Sequence, residues 1–140
     1  MDTYNQPQQT PYRYIGFGDA IQICLRKYAT FSGRADRAEY WWWMLFNFII
    51  SAVCGIISGT LLVIFKGSFI GSLFTLLNYA VALAFVIPSL AVAWRRMHDI
   101  GKGGGWYFIN FIPLVGTIIW IVWCCRKGEP VPNRFGAPEA

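Results

Sequence analysis

Long stretches without any charged residue alternate along this chain with short segments crowded with charge. No Asp, Glu, Lys, Arg or His occurs from Tyr40 to Phe65, from Phe69 to Trp94, or from Trp106 to Cys125, runs of 26, 26 and 20 residues. Each exceeds the roughly 18 apolar residues that mark a membrane-crossing helix. A soluble core helix of such length would carry a polar face, and these carry none. The pattern predicts an all-α membrane protein with three transmembrane helices, over about 40–65, 69–94 and 106–125.

The segments between the runs predict their boundaries. In "GFGDAIQICLRKYATFSG", Ile21, Leu25, Tyr28 and Ala29 share a helical face, and Asp19, Gln22, Arg26 and Lys27 supply most of the polar positions. This predicts a short amphipathic interfacial helix over about 19–30, with Asp19 as its N-cap. Asp36 and Glu39 in "DRAE" stand at cap and third position of the next helix, a capping-box spacing that starts it near Arg37. The link Lys66–Ser68 is short enough for a tight hairpin. Ser51, Gly55 and Gly59 recur every fourth residue, a spacing that lets another helix approach closely, within the monomer or in a homo-oligomer. Pro88 removes a backbone donor and leaves the carbonyl of Ala84 without its helical partner, which predicts a kink. Residues 1–14, polar and rich in Gln and Pro with no short apolar core, read as a disordered arm. A single polytopic domain over 15–136 and a polar tail over 126–140 complete the organisation.

Composition adds to this picture. Apolar residues make up 56% of the chain and charged ones 14%, against about 25% in soluble domains. The net charge of +5 sits beside apolar helices, where basic residues set orientation and touch anionic lipid rather than nucleic acid. The cysteines Cys24, Cys54, Cys124 and Cys125 form no CxxC pair and no His–Cys cluster, so the sequence predicts free thiols and no metal. "GKGGG" lacks the spacing of a phosphate loop, and no cofactor is expected. Three crossings place the N-terminal segment and the 95–105 loop on one side, with Lys66 and the tail on the other. Trp41, Trp42, Trp43, Trp94 and Trp106 then form one aromatic belt, and Trp120 and Trp123 the other. The first side holds eight Lys/Arg and the second four, which predicts a cytoplasmic N-terminus.

Chemistry concentrates on the first side, where "SGRADRAE" and "RRMHDIGKGGGW" meet. Arg34, Arg37, Arg95, Arg96 and His98 are candidates for binding lipid phosphate or another anion; Asp36, Glu39 and Asp99 are candidates for pairing and capping. The function expected is non-enzymatic, through contacts with membrane lipids, anionic ones included, or protein on a basic, Trp-rich face. An oligomeric channel or transporter subunit is one alternative, although the runs bury no ionisable residue. A headgroup enzyme using His98 and Asp99 is another, although no supporting nucleophile is evident.

Several separated motifs occur in a fixed order: "FSGRADRAEYWWW", "RRMHDIGKGGGWYF" and "IPLVGTIIWIVWCCRKGEPVPNRFG". Together, over about residues 20–136, they closely resemble a bacterial family of small inner-membrane proteins, the YhaH-like domain of unknown function 805. The matching positions are Phe31, Gly33, Arg34, Arg37, Glu39, Tyr40 and Trp41; Arg95 to Asp99; Trp106; Ile112, Pro113 and Gly116; and Asn133 to Gly136. The loop "GKGGGW" is more glycine-rich than the family pattern, and the Gln/Pro arm is long. The resemblance implies a multi-pass helical fold in the bacterial inner membrane and points to no particular activity, the family's function being unknown. It also poses a geometric question: three crossings would put "NRFG" across the bilayer from "RRMHD".

Overall fold

A computed structural model describes residues 14–138. The arm expected over residues 1–14 lies, but for Tyr14, outside the described residues. The elements are α1 (Phe17–Arg26), α2 (Arg37–Ile64), α3 (Phe69–Asp99), a 3₁₀ helix η1 (Gly104–Phe111) and α4 (Val115–Cys125). Among the described residues the only β interaction is an isolated bridge between Asn133 and Gly136.

α2 and α3 form the antiparallel hairpin expected from the short link, turning through Gly67 at φ 72°. Both are long and apolar enough to cross a membrane. At 1.5 Å per residue, 28 and 31 residues give about 42 and about 46 Å, against a hydrocarbon thickness near 30 Å. Their surplus length carries the charged ends, Arg37 to Glu39 and Arg95 to Asp99.

The third apolar run departs from expectation. It does not form one helix over 106–125 but a short hairpin, η1 followed by α4. Pro113 has no N–H to continue a helix and disfavours helical backbone at the residue before it. Ile112 is accordingly extended, and Leu114 turns the chain at φ 62°. α4 then packs back on η1 because Gly116 has no side chain; a Cβ there would lie 1.8 Å from the Ile109 carbonyl oxygen. With 11 residues, α4 spans about 16 Å, half a bilayer.

The interfacial helix also shifts. α1 begins at Phe17, so Asp19 is not the cap; it sits one turn in, and its carboxylate accepts from the Gly16 N–H at 3.3 Å. The face turned to the protein holds Ala20 and Cys24, whereas Leu25, Tyr28 and Ala29 are exposed. This face is narrow because α1 packs closely on α2.

The three consecutive tryptophans step 100° apart around α2 and meet three different neighbours. Trp41 is exposed. Trp42 donates to the Ile15 carbonyl at 3.2 Å and meets Phe17 edge-on. Trp43 is fully buried and donates to Ser89 Oγ at 3.0 Å. The second aromatic belt does not form. Trp120 is buried and donates to the Tyr40 hydroxyl at 3.0 Å, and Trp123 meets Trp106 edge-on at 5.5 Å. Both therefore lie at the same end of the molecule as Trp41 and Trp106.

Candidate functional site

Three segments converge where α2 begins and α3 ends: the loop before α2, the last turn of α3, and the C-terminal tail. Asp36 caps α2, its carboxylate accepting from the Ala38 N–H at 3.4 Å. Glu39, buried at 0% exposure, turns inward and accepts from Arg95 Nη1 at 2.5 Å. Burial of the whole pair suits its geometry, because a buried ion pair holds only when both partners are present. The Cys24 thiol lies 3.8 Å from the same Glu39 oxygen. Burial, and next the Glu39 charge, pushes this thiol up to about 12, so it stays protonated at any physiological pH.

Asp99 holds two guanidinium groups at once. Its Oδ1 accepts from Arg34 Nε at 2.9 Å, and its Oδ2 from Arg96 Nη1 at 2.7 Å. The rest of each guanidinium binds backbone carbonyls. Arg34 donates to Val131 at 2.9 Å, to Glu129 at 2.5 Å and to Asp99's own carbonyl at 3.1 Å. Arg96 donates to the Cys124 carbonyl through two nitrogens, at 3.3 and 3.1 Å, and to that of Arg126. The fixed fork of an arginine suits this use, since a lysine has no such planar array of donors. Arg34 and Arg96 therefore fasten the tail to the ends of α2 and α3.

The tail is built to receive them. Gly128 passes against Asp99 so closely that a Cβ would fall 1.9 Å from its carboxylate. "NRFG" folds as a tight turn, with Asn133 N donating to the Gly136 carbonyl at 3.0 Å and the reverse bond at 2.9 Å. The Asn133 amide then donates to the His98 carbonyl at 3.0 Å. Phe135 stacks on the His98 ring, centroids 3.9 Å apart and planes within 3°. His98 Nδ1 lies 2.9 Å from the Gly33 carbonyl, so this nitrogen carries the proton and donates. His98 and Asp99 thus face different partners rather than each other. "NRFG" and "RRMHD" touch, which answers the geometric question: the tail returns to the end it left.

Of the five anion-binding candidates, Arg34, Arg95 and Arg96 are fully buried, and His98 is 6% exposed beneath Phe135. Arg37 is exposed and makes one long bond, 3.4 Å, to the Cys125 carbonyl. Arg26, Arg126, Lys127 and Arg134 are also exposed. Lys102 sits over the Trp123 and Trp106 rings, 4.6 and 5.5 Å from their centroids. Ser51, Gly55 and Gly59 are exposed, and a Cβ at either glycine meets nothing within 4 Å, so among the described residues neither glycine packs on another helix. Among the described residues no group of three or more His, Cys, Asp or Glu could hold a metal ion. Sequence reasoning overlooked Glu129, Asn133 and Phe135 as parts of the site; the turn-forming "NRFG" was the signal available for the last two.

Comparison with known proteins places this architecture. The family model described as a protein of unknown function (DUF805) matches residues 28–137, which include every segment of the site. The inner membrane protein YhaI of Escherichia coli (strain K12) is 36% identical over 112 residues, covering 80% of this chain and 87% of YhaI. The inner membrane protein YhaH of the same strain is 38% identical over 112 residues, covering 80% of this chain and 88% of YhaH. No solved structure matches. With the family's motifs drawn into one cluster, and with similarity along most of its length, the chain belongs to the DUF805 family.

Proposed function

We propose that this is a non-enzymatic protein of the bacterial inner membrane with two crossings, α2 and α3, and a hairpin, η1–α4, that enters one leaflet and returns. One observation carries the reading. The buried Asp99–Arg34–Arg96 cluster ties the tail after α4 to the end of α3 that precedes η1. A chain that leaves and re-enters at the same end has not crossed. The apolar exterior of the hairpin, with Phe108, Phe111, Ile112 and Leu114 exposed, suits acyl chains rather than water.

The same arrangement sharpens the orientation. Of the eleven described lysines and arginines, ten gather at the clustered end, and Lys66 stands at the other. The expected distribution over three crossings was a twofold bias; returning the tail makes it tenfold. The positive-inside rule then supports a cytoplasmic cluster, with the α2–α3 turn in the periplasm. The exposed cations Arg37, Arg126, Lys127 and Arg134 border the Trp-rich rim at headgroup depth, where each is worth about 1 kcal/mol against anionic lipid. The protein's work is therefore read as lipid contact on this rim.

Native mass spectrometry of the protein released from membranes tests it. The wild-type chain should retain phosphatidylglycerol in preference to phosphatidylethanolamine. Gln at 37, 126 and 127 should remove the preference while leaving the protein folded. Equal retention of both lipids by the wild-type chain would reject the lipid-rim reading.

A further inference from the structure

Beside η1, the middle stretches of α2 and α3 leave a groove between them. It forms a cavity of about 340 Å³, within the range of small-molecule pockets. Its walls are Ser51 and Cys54 on α2, Asn78 and Phe85 on α3, and Tyr107 on η1, among others. No wall residue carries a charge, so the cavity suits a neutral occupant. The polar groups are unevenly satisfied. The Asn47 amide donates to the Trp43 carbonyl at 2.9 Å, and the Ser89 hydroxyl accepts from Trp43 Nε1 at 3.0 Å. Among the described residues the Asn78 amide and the Ser51 hydroxyl have no such partner, although Thr60 and Thr75 hydroxyls on the same two helices bond their own backbone.

An amide and a hydroxyl on opposite walls, both within hydrocarbon, gain nothing from saturated acyl chains. They are donors for carbonyl oxygens. Phe85 and the Tyr107 ring supply flat apolar surface beside them, and the opening faces sideways into the bilayer. We propose that this lateral cavity binds a neutral, lipid-soluble ring bearing carbonyl acceptors, of the quinone class. The proposal rests on α2 and α3 lying in the bilayer, as read above.

The test uses the full-length chain in lipid nanodiscs, titrated calorimetrically with the short-chain quinone ubiquinone-1 after subtraction of empty discs. A saturable binding heat is expected, with a carbonyl-free alkylbenzene of similar size binding at least tenfold more weakly. Asn78→Leu should weaken binding about fivefold, the loss of one buried hydrogen bond, without moving the unfolding midpoint. Should Asn78→Leu fail to fold, Ala82→Phe, which fills the cavity from another wall position, should abolish binding instead. Absence of saturable heat, equal binding of the alkylbenzene, or unchanged affinity in a folded Asn78→Leu or Ala82→Phe protein would each overturn the proposal. So would cross-linking of two copies through Asn78→Cys that persists under excess quinone, since a second copy would then occupy the groove. A chain that inserts into discs and binds nothing sinks this inference alone; one that fails to insert sinks the two-crossing reading with it.

Discussion

At the residue scale the molecule depends on burying charge only in company. Glu39 and Arg95 are both fully buried, and removing one partner leaves the other uncompensated. Glu39→Gln should lower the unfolding free energy by about 3–5 kcal/mol, whereas the double change Glu39→Met with Arg95→Met should recover most of it. Unfolding of both variants in detergent checks this. The capping-box spacing placed Asp36 as the cap; Glu39, a candidate for capping or pairing, pairs with a partner 56 residues away. Cys24 gives a second residue-level expectation. At pH 8 it should resist alkylation while exposed Cys125 reacts, which thiol mapping by mass spectrometry reads directly. The sign of its pH linkage follows. The raised folded value means its stabilising share is complete below the ordinary value of 9.0 and is lost as pH climbs toward about 12.

At the scale of elements, Pro88 shows how a breaker is accommodated. The carbonyl it frees, that of Ala84, is exposed on α3, yet it accepts from the Tyr28 hydroxyl, which follows α1. A carbonyl facing lipid without a donor is costly. Tyr28→Phe should therefore destabilise by about 1–3 kcal/mol. In a Pro88→Ala background, where the residue-88 N–H can serve that carbonyl, the same change should cost much less. The difference in unfolding free energies across the four proteins measures this coupling. The freed carbonyl was legible in the sequence, but its remedy was not, because no local pattern pairs residue 28 with residue 84. α1 was legible as an amphipathic helix; that Ala20 and Cys24 are its buried residues was not, because no local pattern shows which side meets the rest of the protein.

The whole molecule turns on the fate of the third apolar run. Length and lack of charge separate lipid-facing segments from water-facing ones, and on that count 106–125 passed. They do not separate a helix that crosses from a hairpin that returns. That distinction lay in Pro113 with Gly116, and in the carbonyl-seeking arginines Arg34 and Arg96, whose partners 95 and 28 residues on no periodicity could reveal. Tail attachment is itself testable. Arg34→Lys keeps the charge but loses the fork, so limited trypsin should cleave after Arg126 and Lys127 at least tenfold faster than in the wild-type protein, a factor equivalent to about 1.4 kcal/mol of local opening. Equal cleavage rates would mean that the tail is held by something else.

The most direct measurement compares two positions in intact cells with a membrane-impermeant maleimide, on a background with the native cysteines replaced by serine. A cysteine at Gly67, in the α2–α3 turn, and one at Val131, in the tail, should behave oppositely. Gly67→Cys should label in intact cells, and Val131→Cys only after the membrane is permeabilised. Labelling of both positions from the same side would put the tail beside the turn, restore a third crossing, and contradict the clustered end on which the account is built.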